Sequence, residues 1–210
     1  MKKTFLALLA SLSLATAALA ATGCVLVQPD DINVTWKAYK TPAKIGVAGQ
    51  FTSVVYTPAS LEGKNFRELF VGSSVKIDTN KITTGNPGRD AKLVKFFFGL
   101  MKPHTIEAKI VDIQHSGKHE KGKPRRGTVT AKITMNGKTR TVPMSYVYNE
   151  GKFHATGTID LFDFAAQKAL ASINKACYTL HKGKTWNDVT ISFSTTVKAT
   201  LCHINIARKQ

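Results

Sequence analysis

An apolar/polar alternation of period two recurs along nearly the whole chain beyond its first twenty residues. Successive side chains of a strand point to opposite faces, so this alternation marks half-buried strands and constrains the fold more than any other feature. Ile32, Val34, Trp36 and Ala38 share one face against Asn33, Thr35, Lys37 and Tyr39. Val47, Gly49, Phe51, Ser53 and Val55 repeat the pattern, as do Val75, Ile77 and Thr79, then Ile106, Ala108 and Ile110. It continues through 129–135, 142–148 and 153–161, and is cleanest over 189–201. About eight such stretches follow one another, each with one apolar and one polar face, the pattern of an antiparallel sheet wet on one side. Asn136-Gly137 between two of them signals a type I′ hairpin, and Asn149-Glu150-Gly151 a slightly longer turn.

Two segments interrupt the alternation and read as helices. In 88–101 Asp90 stands where it can cap the first turn, and Leu93, Phe96, Phe97 and Leu100 fall on one side at three- and four-residue spacing. Asp163 precedes a longer amphipathic pattern from Phe164 to Leu180. The expected fold class is therefore all-β: an antiparallel barrel of about eight strands with two helices covering it. Closure would remove the sheet edges, and at this strand number the interior is either filled or holds one ligand. Gly49, Ser53, Ala108, Ala131, Ala155, Gly157 and Ala199 are small on the inward face, which favours a cavity. The alternative is a dry core in which Trp36, Phe51, Phe153 and Phe193 interdigitate with them.

Residues 1–20 carry Lys2 and Lys3, an apolar stretch over 5–17 and Ala18-Leu19-Ala20. Basic start, short apolar stretch and small cleavage residues predict a secretory signal peptide, with 21–210 as one exported domain in the periplasm. Ala21-Thr22-Gly23-Cys24 also resembles a lipobox, so anchoring through a lipidated Cys24 is the alternative. The 30 Lys and Arg against 13 Asp and Glu give a net charge of +17, or +15 without Lys2 and Lys3. Such a surface favours polyanions or anionic lipid headgroups. Export argues against nucleic acid and leaves peripheral membrane contact through the basic surface as the expectation. The densest basic run, 115–126, contains Gly and Pro between two strand patterns and is expected to be a solvated hairpin loop. A homodimer is compatible with all of this, but no residue pattern requires it.

Three cysteines in an oxidising compartment invite one disulfide and one free thiol. If the first and last strands are antiparallel neighbours, Cys24 and Cys202 come within bridging range and Cys177, on the second helix, is the buried free thiol. If Cys24 is lipidated, Cys177 and Cys202 form the only intrachain pair. Cys177 and His181 share helical spacing but have no orienting group, which argues against a catalytic thiol. Only His115 and His119 approach metal-ligand spacing, and they lie in the basic segment. There is no G-x-S-x-G elbow, H-E-x-x-H helix or phosphate-binding Gly loop. No catalytic group, metal or cofactor is expected.

Several short patterns, in order, carry a family resemblance. They are Val47-Ala48-Gly49-Gln50-Phe51; Val75-Lys76-Ile77-Asp78-Thr79 with Thr84 and Arg89-Asp90-Ala91-Lys92-Leu93; and Phe96-Phe97 with Thr105-Ile106. Met135-Asn136-Gly137-Lys138-Thr139-Arg140-Thr141-Val142 and Phe153-His154-Ala155-Thr156-Gly157 with Asp163-Phe164 complete the set. In these the chain resembles the YceI-like family, periplasmic lipocalin-like barrels that bind polyisoprenoid or other long amphiphilic lipids. Lys92 stands where that family usually has His, and the predicted helix 164–180 is longer than expected for it. The resemblance implies a binding protein, not an enzyme, holding a polyisoprenoid, an isoprenoid quinone or a similar lipid. Trp36, Phe51, Phe97, Met101, Met135, Met144, Tyr146, Phe153 and Phe193 would then line a tunnel with Arg89 at its mouth. Each methylene moved there from water contributes about 0.8 kcal/mol, and Met adapts to irregular ligand shape. The alternative is a structural or stress-related surface protein whose barrel is filled and takes no ligand.

Overall fold

A computed structural model of the protein describes residues 25–29, 31–118, 120 and 122–200, without the side chain of His181. The chain runs β1 (Val25–Val27), β2 (Asn33–Lys40), β3 (Ile45–Phe51), β4 (Val54–Thr57), β5 (Glu62–Gly63), α1 (Phe66–Phe70), β6 (Ser74–Asp78), β7 (Ile82–Thr83) and α2 (Pro87–Phe96). After a 3-10 turn at Phe98–Leu100 come β8 (Thr105–Ser116), β9 (Arg125–Met135), β10 (Lys138–Asn149) and β11 (Lys152–Asp160). A second 3-10 turn, Leu161–Phe164, leads to α3 (Gln167–Ala176), α4 (Tyr178–His181), β12 (Thr185–Thr196) and β13 (Lys198–Thr200).

The protein is all-β, as its alternation predicts: ten strands form one strongly curled antiparallel sheet in the order β4-β6-β8-β9-β10-β11-β12-β2-β3-β7. The expected strand over 47–55 is two, because the chain bends at Thr52-Ser53 between β3 and β4, and the expected 189–201 strand divides into β12 and β13. Strands as short as β1, β5 and β7 carry no readable period, which is why the expected count of about eight was low. Closure is partial. The sheet ends at β4 and β7, and the bend between β3 and β4 links the two edges: Thr52 N–H donates to Lys81 O at 2.8 Å and Asp78 N–H to Ser53 O at 3.2 Å.

The first and last described strands are antiparallel neighbours, with Val25 opposite Thr200, in a small sheet ordered β13-β1-β5. Cys24 and Cys202 lie outside the described residues, as does the expected signal peptide 1–20, while Cys177 is a buried free thiol.

Both predicted helices need correction. Asn86, not Asp90, caps α2, accepting from Arg89 N–H at 3.0 Å. Asp90 instead accepts from Thr84 N–H at 2.9 Å and Thr84 Oγ at 2.5 Å, so it secures the turn before the helix. The continuous helix expected over 164–180 is broken. Asp160 caps the turn Leu161–Phe164 by accepting from Phe162 N–H at 2.8 Å, Ala165 turns the chain at φ 53°, and only then does α3 begin. The cause is non-local. Asn136, in the β9–β10 hairpin, donates to the carbonyls of Phe164 at 3.0 Å and Ala165 at 3.1 Å, and accepts from Lys102 N–H at 3.1 Å. Those contacts hold the carbonyls away from helical partners while Phe164 is buried in the core. The basic hairpin is shorter than expected, because β8 and β9 extend through Ser116 and from Arg125.

One end of the curled sheet is packed solid. Phe66 and Phe70 of α1 meet Tyr146, Tyr148 and Phe153, with ring centroids of Phe66–Tyr148 at 5.0 Å, Phe70–Phe153 at 4.6 Å and Tyr146–Phe153 at 4.9 Å. Aromatic pairs at these separations add to the burial of their large surfaces. Gln28 sits buried beside this floor, donating to Ser60 O and Leu69 O and accepting from Tyr56 Oη at 3.0 Å. Phe153→Ala is expected to destabilise the fold by about 3–5 kcal/mol, measured by equilibrium urea unfolding.

Candidate functional site

Above the aromatic floor the inward faces do not meet, and a cavity of about 610 Å³ remains. Ile32, just before β2, and Val34, Trp36, Ala38 and Lys40 along it all border the cavity. That is a run of roughly 26 Å at about 3.3 Å per residue, so the space is elongated along the strands. The facing wall is Ala108 and Ile110 of β8, Ala131 and Ile133 of β9 and Met144 of β10. α2 contributes Arg89, Lys92 and Leu93, and Phe97 and Phe98 follow it. The three successive aromatics divide: Phe97 and Phe98 are buried against the cavity, while Phe96 is half-buried beneath Lys95 Nζ, 5.2 Å from its ring centroid.

Of the residues expected to line a tunnel, the structure sets Trp36, Phe51, Phe97, Met135, Met144 and Phe193 around this cavity, with Arg89 beside them. Met101, Tyr146 and Phe153 are buried away from it. Tyr146 and Phe153 belong to the floor, and Phe193 stands between the two regions, bordering the cavity and stacked 6.0 Å from Phe153. The small inward residues divide the same way. Ala108 and Ala131 open onto the cavity, whereas Ala155 is fully buried and cross-strand from Tyr146 and Phe193. A Cβ at Gly157 would come within 2.8 Å of Met144 Cγ. Ala199 is exposed on β13. Phe98 and Leu93 were absent from the expected lining, although Leu93 and Phe97 have the helical spacing that could have announced one of them.

Trp36 lies flat across β3, and a Cβ at Gly49 would fall inside its ring, so glycine is required beneath the indole. Trp36 is 8% exposed and its Nε1–H has no hydrogen-bond partner, a buried donor left open at the cavity wall. Farther along, the Tyr56 phenol is held above its usual pKa chiefly by burial, with hydrogen bonding to Ser73 and Gln28 offsetting part of that shift. Trp186 closes the far end by donating from Nε1 to Thr41 O at 2.9 Å. Lys40, Arg89, Lys92 and Lys109 border the cavity, and among the described residues no Asp or Glu does. Among the described residues Asp90 forms no ion pair with Arg89 and is committed to Thr84. Among the described residues no three His, Cys, Asp or Glu side chains gather where they could hold a metal ion.

A family model for the YceI-like domain matches residues 26–197 of the chain. The chain belongs to the YceI-like family. Solved YceI-like folds resemble it at low identity. A polyisoprenoid binding domain from Saccharophagus degradans, implicated in plant cell wall breakdown, is 11% identical with a TM-score of 0.57, covering 84% of this chain and 98% of its own. Burkholderia cenocepacia BcnA is 16% identical with a TM-score of 0.51, covering 80% and 96%. The Campylobacter jejuni YCEI protein is 17% identical with a TM-score of 0.50, covering 73% and 85%. The comparison with curated proteins gave no match. In this YceI-like protein the two alanines separate cavity from floor. Ala131→Trp should fill empty space and destabilise by at most about 1 kcal/mol, while Ala155→Phe should clash and reach the upper part of the roughly 1–3 kcal/mol typical of overpacking. Thermal and urea unfolding of both variants check the difference.

Proposed function

We propose that this YceI-like protein is a non-catalytic carrier that holds the tail of a long-chain amphiphilic lipid, such as a polyisoprenoid or an isoprenoid quinone, in the cavity. The observation that carries the reading is the elongated apolar space of about 610 Å³, within the roughly 300–1,000 Å³ range of ligand pockets. Each tail methylene that leaves water for it contributes about 0.8 kcal/mol, so a tail of ten or more carbons offsets the entropic cost of binding. The Saccharophagus degradans domain described as polyisoprenoid binding supports the same ligand class. The leader-like 1–20 segment supports export to the periplasm, with a lipid anchor at Cys24 as the competing form of attachment. Native mass spectrometry of the protein purified from the exported fraction is expected to show a bound lipid that organic extraction removes. Recovery of ligand-free protein that takes up neither prenol nor fatty acid would overturn the reading.

A carrier of this kind collects its lipid at a bilayer, and the helical end has the surface for it. Leu100, Phe162, Tyr178 and Leu180 are 52%, 47%, 65% and 67% exposed, and Leu180 also borders the cavity. Exposed Lys102, Lys168, Lys175 and Lys182 lie on the same turns and helices. Apolar side chains among lysines suit an anionic interface. Flotation with vesicles containing phosphatidylglycerol is expected to bind the protein, and Phe162→Glu with Leu180→Glu is expected to weaken that binding at least roughly tenfold.

A further inference from the structure

We propose that the lipid this cavity takes is an anion, with its phosphate or carboxylate headgroup held by Arg89 and Lys92 at the start of α2. The inference rests on the carrier reading and narrows its ligand. Every charged residue bordering the cavity is basic, although the chain has 13 acidic residues to draw on. Arg89 and Lys92 are three residues apart, on one side of the helix, and both are half-buried, whereas Lys95, one turn on, is exposed. Leu93 and Phe97 continue the cavity side of the same helix, so its lining passes from cationic to apolar within about two turns. A headgroup and tail need such a gradient, and a uniformly apolar ligand does not.

Neither cation is neutralised among the described residues. Asp90 is turned onto Thr84 N–H and Oγ, and no ion pair reaches Arg89 or Lys92 among the described residues. The first turn of α2 adds a partial positive charge of the same sign. The open Trp36 Nε1–H is a second, independent sign of an acceptor in the ligand. Trp36 lines the same cavity as Arg89 and Lys92.

The test uses delipidated protein and tail-matched ligands: geranylgeranyl phosphate against geranylgeraniol, and palmitate against hexadecanol. Trp36 and Trp186, the two tryptophans of the chain, both border the cavity, so intrinsic fluorescence reads binding directly. At low salt at least one anion should bind about tenfold or more tightly than its alcohol, and the gap should narrow as salt rises. The pair with the larger gap tells phosphate from carboxylate. Arg89→Gln with Lys92→Gln should close the gap by weakening the anions more than their alcohols, and an unchanged far-UV circular dichroism spectrum shows that the variant is folded. Alcohols that bind as tightly as both anions would overturn the anionic headgroup, a gap that survives the double substitution would overturn its placement at Arg89 and Lys92, and either leaves the carrier reading standing. If no amphiphile of either charge binds, both fall together.

Discussion

The architecture depends on the aromatic floor. A single curled sheet encloses more space than its inward side chains can fill, and protein interiors tolerate little empty volume. Phe66 and Phe70 of the five-residue helix α1 solve this at one end by packing edge-on or tilted against Tyr146, Tyr148 and Phe153. The rings concentrate packing where β10 and β11 meet, and the short β13-β1-β5 sheet backs them with Leu26 in the same core. With that end dense, the remaining length of the strands can stand apart around a cavity without the sheet collapsing on itself.

Much of this was legible in the sequence, and the limit of legibility has a simple physical form. Alternation fixes which face of a strand is buried, but it says nothing about height along the barrel. Phe153 and Phe193 lie on inward faces of adjacent strands and look equivalent in sequence, yet Phe153 is floor and Phe193 reaches the cavity. Ala131 and Ala155 divide in the same way, because Ala155 is cross-strand from Tyr146 and Phe193 while Ala131 is cross-strand from Ile110 and Val142. Height depends on register, and register depends on turns and bulges, such as the shift between Ile110 and Asp112, that a period of two does not contain.

Helix boundaries were less legible still, because side chains distant in sequence decide them. The apolar spacing across 164–180 is compatible with one helix, and local propensity offers no reason to stop at Ala165. Asn136, 28 residues before Phe164, supplies the reason by donating to its carbonyl, and it holds the Lys102 loop with its other side-chain atom. Sequence reading marked Asn136 as a turn former and was right about that, since it sits at φ 51° before Gly137 at φ 70°. Its second role, tying the β9–β10 hairpin to the turns that cover the cavity, needs the folded chain.

If the carrier reading holds, floor and helical end together set how an elongated ligand would lie. The floor excludes it at one end, since Phe153 is fully buried among the rings that close that region. The other end is made of short helices and turns whose exposed Leu180 also lines the cavity, so the wall there is one side chain thick. An apolar tail would lose least by pointing toward the floor, where aromatic rings predominate. A polar head loses least near α2, where half-buried cations keep contact with water. Orientation therefore follows from the unequal filling of the two ends, and the same inequality that keeps the sheet from collapsing gives the cavity its polarity.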